Sequence, residues 1–201
     1  SMTDPSTGQP RDYMTTVDEV TYFDGGRWPK WADGMGASLE LRDPAGHNDS
    51  PDAWADSDES AKTQWQQFSI TISGSDGRYT HGSTSIFDMM LLNAGEVLLD
   101  DVELLMNGSN RLNNSGFESG ASNWRILGNH VRSFVTTEDR RSGSRALHLV
   151  ATGHGDPGGN RINQSISGAS NATVTFQGCA RWLRGSRFLL LRTVRERSPQ
   201  Q

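Results

Sequence analysis

Three histidines and an aspartate fall within 27 positions of the second half of the chain. His130 closes a Gly-Asn-His turn, His148 sits between Leu147 and Leu149, and His154 precedes Gly155-Asp156 in a glycine-rich loop. Imidazole nitrogens and a carboxylate are ligands that zinc or a similar transition ion takes. Three of them with one open position would activate a water against an ester or phosphoester bond. No His-x-x-x-His or comparable spacing joins the four, so the plainer reading is that they are surface or strand-packing side chains. Cys179 lies within a strand-like run and reads as a small core hydrophobe, because a nucleophilic thiol needs exposure and a lowered pKa. A Gly-x-Ser-x-Gly elbow, a Gly-Lys-Ser/Thr phosphate loop and a dinucleotide fingerprint between strand and helix are all missing from the sequence.

Short strands must position these residues. Apolar and β-branched runs recur at 17–23, 37–41, 67–73, 86–92, 96–105, 124–127, 131–136, 146–150, 161–166, 173–182 and 188–192. Turn formers separate them, among them Asp24-Gly25-Gly26, Asn107-Gly108-Ser109 and the stretch from Gly153 to Gly159. The period is two. In 96–105 it groups Leu98, Asp100, Val102 and Leu104 on one side and Val97, Leu99, Asp101 and Glu103 on the other. Residues 51–66 are the only helical candidate, acidic and too polar to anchor a fold. The pattern predicts an all-β antiparallel sandwich or jelly roll with a short β remnant packed on it.

Composition agrees with that pattern. The chain has 201 residues, 22 Gly, 7 Pro and 33% hydrophobic residues, with a mean hydropathy of -0.63. No run approaches the length a bilayer-crossing helix needs, so no membrane insertion is expected. The single cysteine excludes an intrachain disulfide framework. Residues 1–106 hold 6 Lys and Arg against 19 acids, a balance of -13, whereas residues 107–201 hold 13 Arg against 5 acids, a balance of +8. The arginines are spaced singly through strand-like runs, which argues against nucleic acid and for two halves that pack on each other. Ser1-Met2 reads as a tag remnant, no signal peptide is apparent, and the arginine-rich 192–197 run reads as a solvated tail.

Two resemblances attach to particular residues. Val20-Thr-Tyr-Phe23, Trp28-Pro29, Ala32-Asp-Gly-Met-Gly36, Ser38-Leu-Glu-Leu41 and Asp43-Pro44 through Trp54 resemble the closing part of a lamin-tail domain. That family is a small immunoglobulin-like sandwich found in nuclear lamins and bacterial surface proteins, and its opening strands have no counterpart here. Arg111 through Glu118, Gly120 and Trp124, with Gly143 through Leu149 and 174–182, resemble the opening and middle of a galactose-binding-like carbohydrate-binding jelly roll. The closing signature of that family resembles Trp65, Phe68-Ser69 and Gly95 through Val102, which come first in this chain. The implied organisation is a disordered or tag-derived 1–16, a lamin-tail-like 17–62, a jelly roll at 63–195 and a tail at 196–201. The permuted order is consistent with tandem fragments, a permuted single jelly roll, or a homodimer formed by strand exchange.

The second resemblance implies a structural calcium on Asp101, Glu118 and Asp100, helped by carbonyls near Ser142–Ser144. Carboxylates at a strand end suit a hard cation, and pairing with Arg132, Arg140 or Arg145 is the competing reading. It also implies ring faces for sugars, from Trp124, Trp182, Tyr79 and Trp65, with Asn129, Arg161 and Gln164 as polar partners. Trp side chains serve equally as core. The expectation is therefore a non-catalytic glycan-binding or adhesion module of a bacterial surface or secreted protein, with a polysaccharide partner and an extracellular setting. The rival expectations are a metal-dependent hydrolase using His130, His148, His154 and Asp156 with zinc or another transition metal, and a structural spacer that makes only protein contacts.

Overall fold

Alternating side chains on runs of six to twelve residues give each main strand one apolar face, and two such sheets bury those faces against each other. A computed structural model describes residues 2–11, 18–72, 84–156, 158–167 and 172–195. In chain order the strands are β1 (Met2–Thr3), β2 (Pro10–Arg11), β3 (Leu39–Leu41), β4 (Trp54–Asp56), β5 (Gln66–Ile72), β6 (Thr84–Leu91) and β7 (Gly95–Met106). They continue with β8 (Ser109–Asn110), β9 (Arg125–Ile126), β10 (Phe134–Thr136), β11 (Ala146–Ala151), β12 (Ile162–Ser167), β13 (Val174–Gly185) and β14 (Leu189–Arg195). One sheet has the order β10-β11-β7-β13-β5, with β8 beside the end of β7. The other has the order β14-β6-β12-β9. The chain is an all-β antiparallel sandwich.

In both sheets a strand from the acidic first half lies between strands of the basic second half. β7 lies between β11 and β13, and β6 lies between β12 and β14. Their inner faces supply one core, including Phe87, Met89 and Leu91 from β6, Leu147 and Leu149 from β11, and Val174 and Phe176 from β13. Residues 51–66 hold no α-helix. Two 3₁₀ turns, Pro51–Ala53 and Ser60–Lys62, flank β4, which pairs with β3. The expected strand at 17–23 is also absent over its described part, 18–23, where Tyr22 and Phe23 are exposed and no neighbouring strand offers a ladder.

The alternation expected for β7 breaks at Asp101. Gln177 pairs with Glu103 and Cys179 with Asp100, so the single Gly178 stands opposite two residues, Asp101 and Val102. Asp101 has φ +52. This is a bulge with its extra residue in the left-handed region. It rephases the strand: Val97 and Leu99 before it share the core with Val102, Leu104 and Met106 after it. Strict alternation would have turned Asp101 into that core.

The segment before β5 packs on the sandwich near the β13–β14 turn. Gly185 N–H donates to the Met35 carbonyl at 3.2 Å, and the Arg184 guanidinium lies 5.2 Å from the centroid of the Trp31 ring. Gly185, at φ +76, leaves room for that ring, which a β-carbon would strike.

Candidate functional site

The outer face of the four-stranded sheet carries a row of polar side chains crossing every strand. The register sets Arg192 of β14 opposite Asp88 of β6, Asp88 opposite Asn163 of β12, and Asn163 opposite Arg125 of β9. Phe87, Met89 and Ile162, their chain neighbours, point into the core, so the period of two turns the row outward. Three inter-strand gaps give it a span of about 14 Å.

Asp88 is its centre and is fully buried. Arg192 donates from Nε at 3.1 Å and Nη2 at 2.8 Å to Oδ2. Arg161, on the same face just before β12, brings Nε to 3.1 Å from Oδ1. That second contact is an ion pair without hydrogen-bond alignment, since Oδ1 and the Arg161 Nε are both buried and lack an aligned partner. An ionised carboxylate on a sheet face is buried only when cations replace its water. Here two guanidiniums do so, with side chains 17% and 27% exposed for Arg161 and Arg192. Each retains N–H donors that Asp88 does not occupy. Arg125 is exposed and makes no ion pair among the described residues.

Arg161 thus lies where a ligand could meet it, and Trp182 lines a separate cleft, while the other described residues expected to bind ligand are engaged within the fold. Trp124 belongs to the core, its ring 5.3 Å from Phe117 and 5.9 Å from Phe87 between centroids, so it offers no free face. Its Nε1 donates to the Asn114 carbonyl. Trp182 is half-buried on the inward side of β13, with Nε1 donating to the Ser186 carbonyl. There it lines an apolar cleft of about 360 Å³ with Phe68, Phe176, Leu189 and Leu191. Asn129 holds the loop after β11: its side-chain amide N–H donates to the His154 carbonyl at 2.6 Å and its backbone carbonyl accepts from Thr152 N–H at 3.0 Å. Gln164 grips the backbone of Asn113 through both ends of its amide. Trp65 donates to Asp139 at 3.0 Å. Tyr79 lies outside the described residues.

The carboxylates Asp100, Asp101 and Glu118 gather around the loop 141–145, because the bulge lets two consecutive acids serve it. Asp100 Oδ2 accepts from the amides of Arg141 and Ser142, each at 2.9 Å, and Oδ1 accepts from its neighbour's amide at 2.8 Å. Asp101 Oδ1 takes the Ser142 hydroxyl at 2.7 Å. Glu118 takes the amides of Ser144 and Arg145 and the Ser144 hydroxyl. Burial raises the Asp100 carboxyl above its ordinary range, partly offset by those amides. The Ser144 hydroxyl and amide hold Glu118 below its own. A calcium ion needs six to eight oxygens around one point, whereas these oxygens face N–H and O–H donors. As arranged, the three carboxylates clamp the loop 141–145.

The histidines and Asp156 have separate partners. His130 is fully buried, its Nε2 accepting from Leu91 N–H at 3.1 Å. Burial lowers its pKa from 6.5 to about 4. His148 lies 3.0 Å from Glu96 and stacks near Phe134 at 4.7 Å. Hydrogen bonding to His148, then to Arg184, holds the Glu96 carboxyl below its usual range. His154 is exposed, and Asp156 accepts from the amides of Gly158 and Gly159 within its own turn. Among the described residues no three His, Cys, Asp or Glu side chains are placed to hold a metal ion.

Sequence reasoning missed Asp88 and assigned Arg192 to the tail. A signal existed: one acid inside the apolar run Ile86-Phe-Asp-Met-Met90 must be paired or strongly desolvated. Arg192 belongs to β14, where its partner is that acid. Comparison with known proteins finds no matching family model, no matching curated protein and no matching solved structure.

Proposed function

We propose that this chain is a glycan-binding module without a catalytic step of its own, engaging saccharide across the outer face of the β14-β6-β12-β9 sheet. The row Arg192-Asp88-Asn163-Arg125 carries the reading. The buried Asp88 and Asn163 brace the row, and the groups that reach a ligand are the guanidiniums of Arg192, Arg161 and Arg125, which a sheet holds with less conformational freedom than a loop would. Asp88 supports this by holding two arginine side chains in place before any ligand arrives. An extracellular or cell-surface setting belongs to the same proposal.

Affinity electrophoresis on a panel of neutral and acidic polysaccharides tests it, with Arg125→Ala and Arg192→Gln as variants. The expected result is retardation on at least one polymer, weakened in both variants while their melting curves stay cooperative. Migration unaffected by every polymer, or retardation identical in wild type and variants, refutes the reading.

A further inference from the structure

We infer that the ligand of this face is an acidic polysaccharide whose units carry carboxylates, a polyuronate; the inference rests on the glycan-binding reading. Each hydroxyl of a neutral sugar both donates and accepts, so a face that recognises neutral sugars must offer acceptors as well as donors. This face offers few acceptors. Asp88, the carboxylate of the row, is fully buried, with Oδ2 bonded to Arg192 and Oδ1 facing Arg161. What remains is the Asn163 amide, itself buried, the exposed Ser165 hydroxyl two positions along β12, and the more numerous N–H groups of Arg125, Arg161 and Arg192.

Charge points the same way. Arg125, Arg161 and Arg192 against Asp88 leave an excess of two positive charges along this row of described residues. A surplus of donors with positive charge is complementary to a ligand rich in anionic acceptors. The planar guanidinium fork matches a carboxylate through two parallel N–H···O contacts, and Arg192 and Arg161 already hold one carboxylate in this protein. The ligand extends that pairing to their unused donors. Arg125 and Arg192 stand at opposite ends of the row, about 14 Å apart, so a polymer bearing a carboxylate on each unit reaches both, and a single uronate does not.

Isothermal titration calorimetry with oligogalacturonate, and with the same oligomer after reduction of its carboxyl groups, tests the inference at two salt concentrations. The native oligomer is expected to bind at least ~10-fold more tightly than the reduced one, with affinity falling as salt rises. Arg125→Ala, which removes an exposed side chain without an ion pair, is expected to weaken binding several-fold with no change in melting temperature. Arg192→Lys keeps the charge, loses the fork, and is expected to cost ~10-fold. Equal affinity for native and reduced oligomers overturns the inference and leaves the glycan-binding reading standing. Tighter binding to a sulfated galactan than to the uronate overturns the assignment of carboxylate. Loss of binding to both oligomers and to the whole neutral panel overturns the reading itself.

Discussion

His130 makes the stability of this sandwich depend on acid in a way that can be worked out from one ring. Its side chain is fully buried, and Nε2 accepts the Leu91 amide at 3.1 Å. The proton of the neutral ring therefore sits on Nδ1, which is buried without a partner among the described residues. Protonating Nε2 would set a donor against the Leu91 donor and place a charge in an apolar site. Burial accordingly lowers the pKa from 6.5 to about 4. Between those values the unfolded chain binds a proton that the folded chain refuses. Stability thus falls as pH drops through 6.5 and stops falling on this account below about 4. At 1.36 kcal/mol per tenfold in proton affinity, the full loss is about 3 kcal/mol. For a domain of this size that equals a fall of roughly 6–12 °C in melting temperature. Urea denaturation of the wild type and of His130→Asn at pH 7, 6, 5 and 4 measures it. The carboxylates titrate in both proteins, so the difference isolates the histidine. Parallel stability curves for the two, or a measured His130 pKa near 6.5, would refute the reasoning.

Asp88→Ala leaves two partly buried guanidiniums without their counter-charge and is expected to cost about 2–4 kcal/mol in urea denaturation, below the fully buried limit because both arginines reach solvent. Combined with Arg192→Ala, the loss should be smaller than the sum of the single losses, since the two side chains share one interaction. Gly185→Ala places a β-carbon against the Trp31 ring and 2.6 Å from the Ala94 carbonyl oxygen at φ +76; limited proteolysis should then cut the segment before β5 faster while the sandwich still melts cooperatively. Because loop donors already bind Asp100, Glu118 and one oxygen of Asp101, millimolar calcium is expected to leave the melting temperature unchanged, and a calcium-dependent rise would show that the cluster forms a metal shell.

The strands were legible wherever an apolar period of two was long enough to demand a partner. The runs expected at 86–92, 96–105, 146–150, 161–166 and 173–182 coincide, to within a few residues, with β6, β7, β11, β12 and β13. Some short runs were legible too, since 37–41, 124–127 and 131–136 contain β3, β9 and β10, whereas the polar stretch 51–66 was not. Residues 51–66 looked helical because nothing local opposes a helix there, yet Trp54–Asp56 forms a ladder with Leu39–Leu41, a tertiary contact no local window contains. The same limit applies to the side chains. Trp124 and His130 are of types that serve either a site or a core, and only packing decides, as Phe117 around the indole and the Leu91 amide on the imidazole show. Arg161 was recognisable as a polar residue on a strand. Its role was not, because its partner Asp88 lies 73 positions earlier in the sequence.

The bulge at Asp101 links the legible and the illegible parts. Read forward from Val97 and Leu99, alternation sends Asp101 inward; read backward from Met106 and Leu104, it sends Val102 inward. Both cannot hold in a regular strand, and the conflict falls on the residues where the ladder slips. An inward Asp101 would bury an unpaired carboxylate among Phe117, Leu149 and their neighbours, an arrangement that costs several kcal/mol. One residue in the left-handed region costs of order 1 kcal/mol. The bulge is therefore the cheaper solution by a clear margin. It also has a structural return, since Asp100 and Asp101 now address the same loop, one through backbone amides and the other through the Ser142 hydroxyl. The sequence alone does not announce the bulge, because Leu98, Val102 and Leu104 also share one unbroken phase; it is the packing of Val97 and Leu99 into the core that forces the slip and so places the Asp100–Asp101–Glu118 cluster.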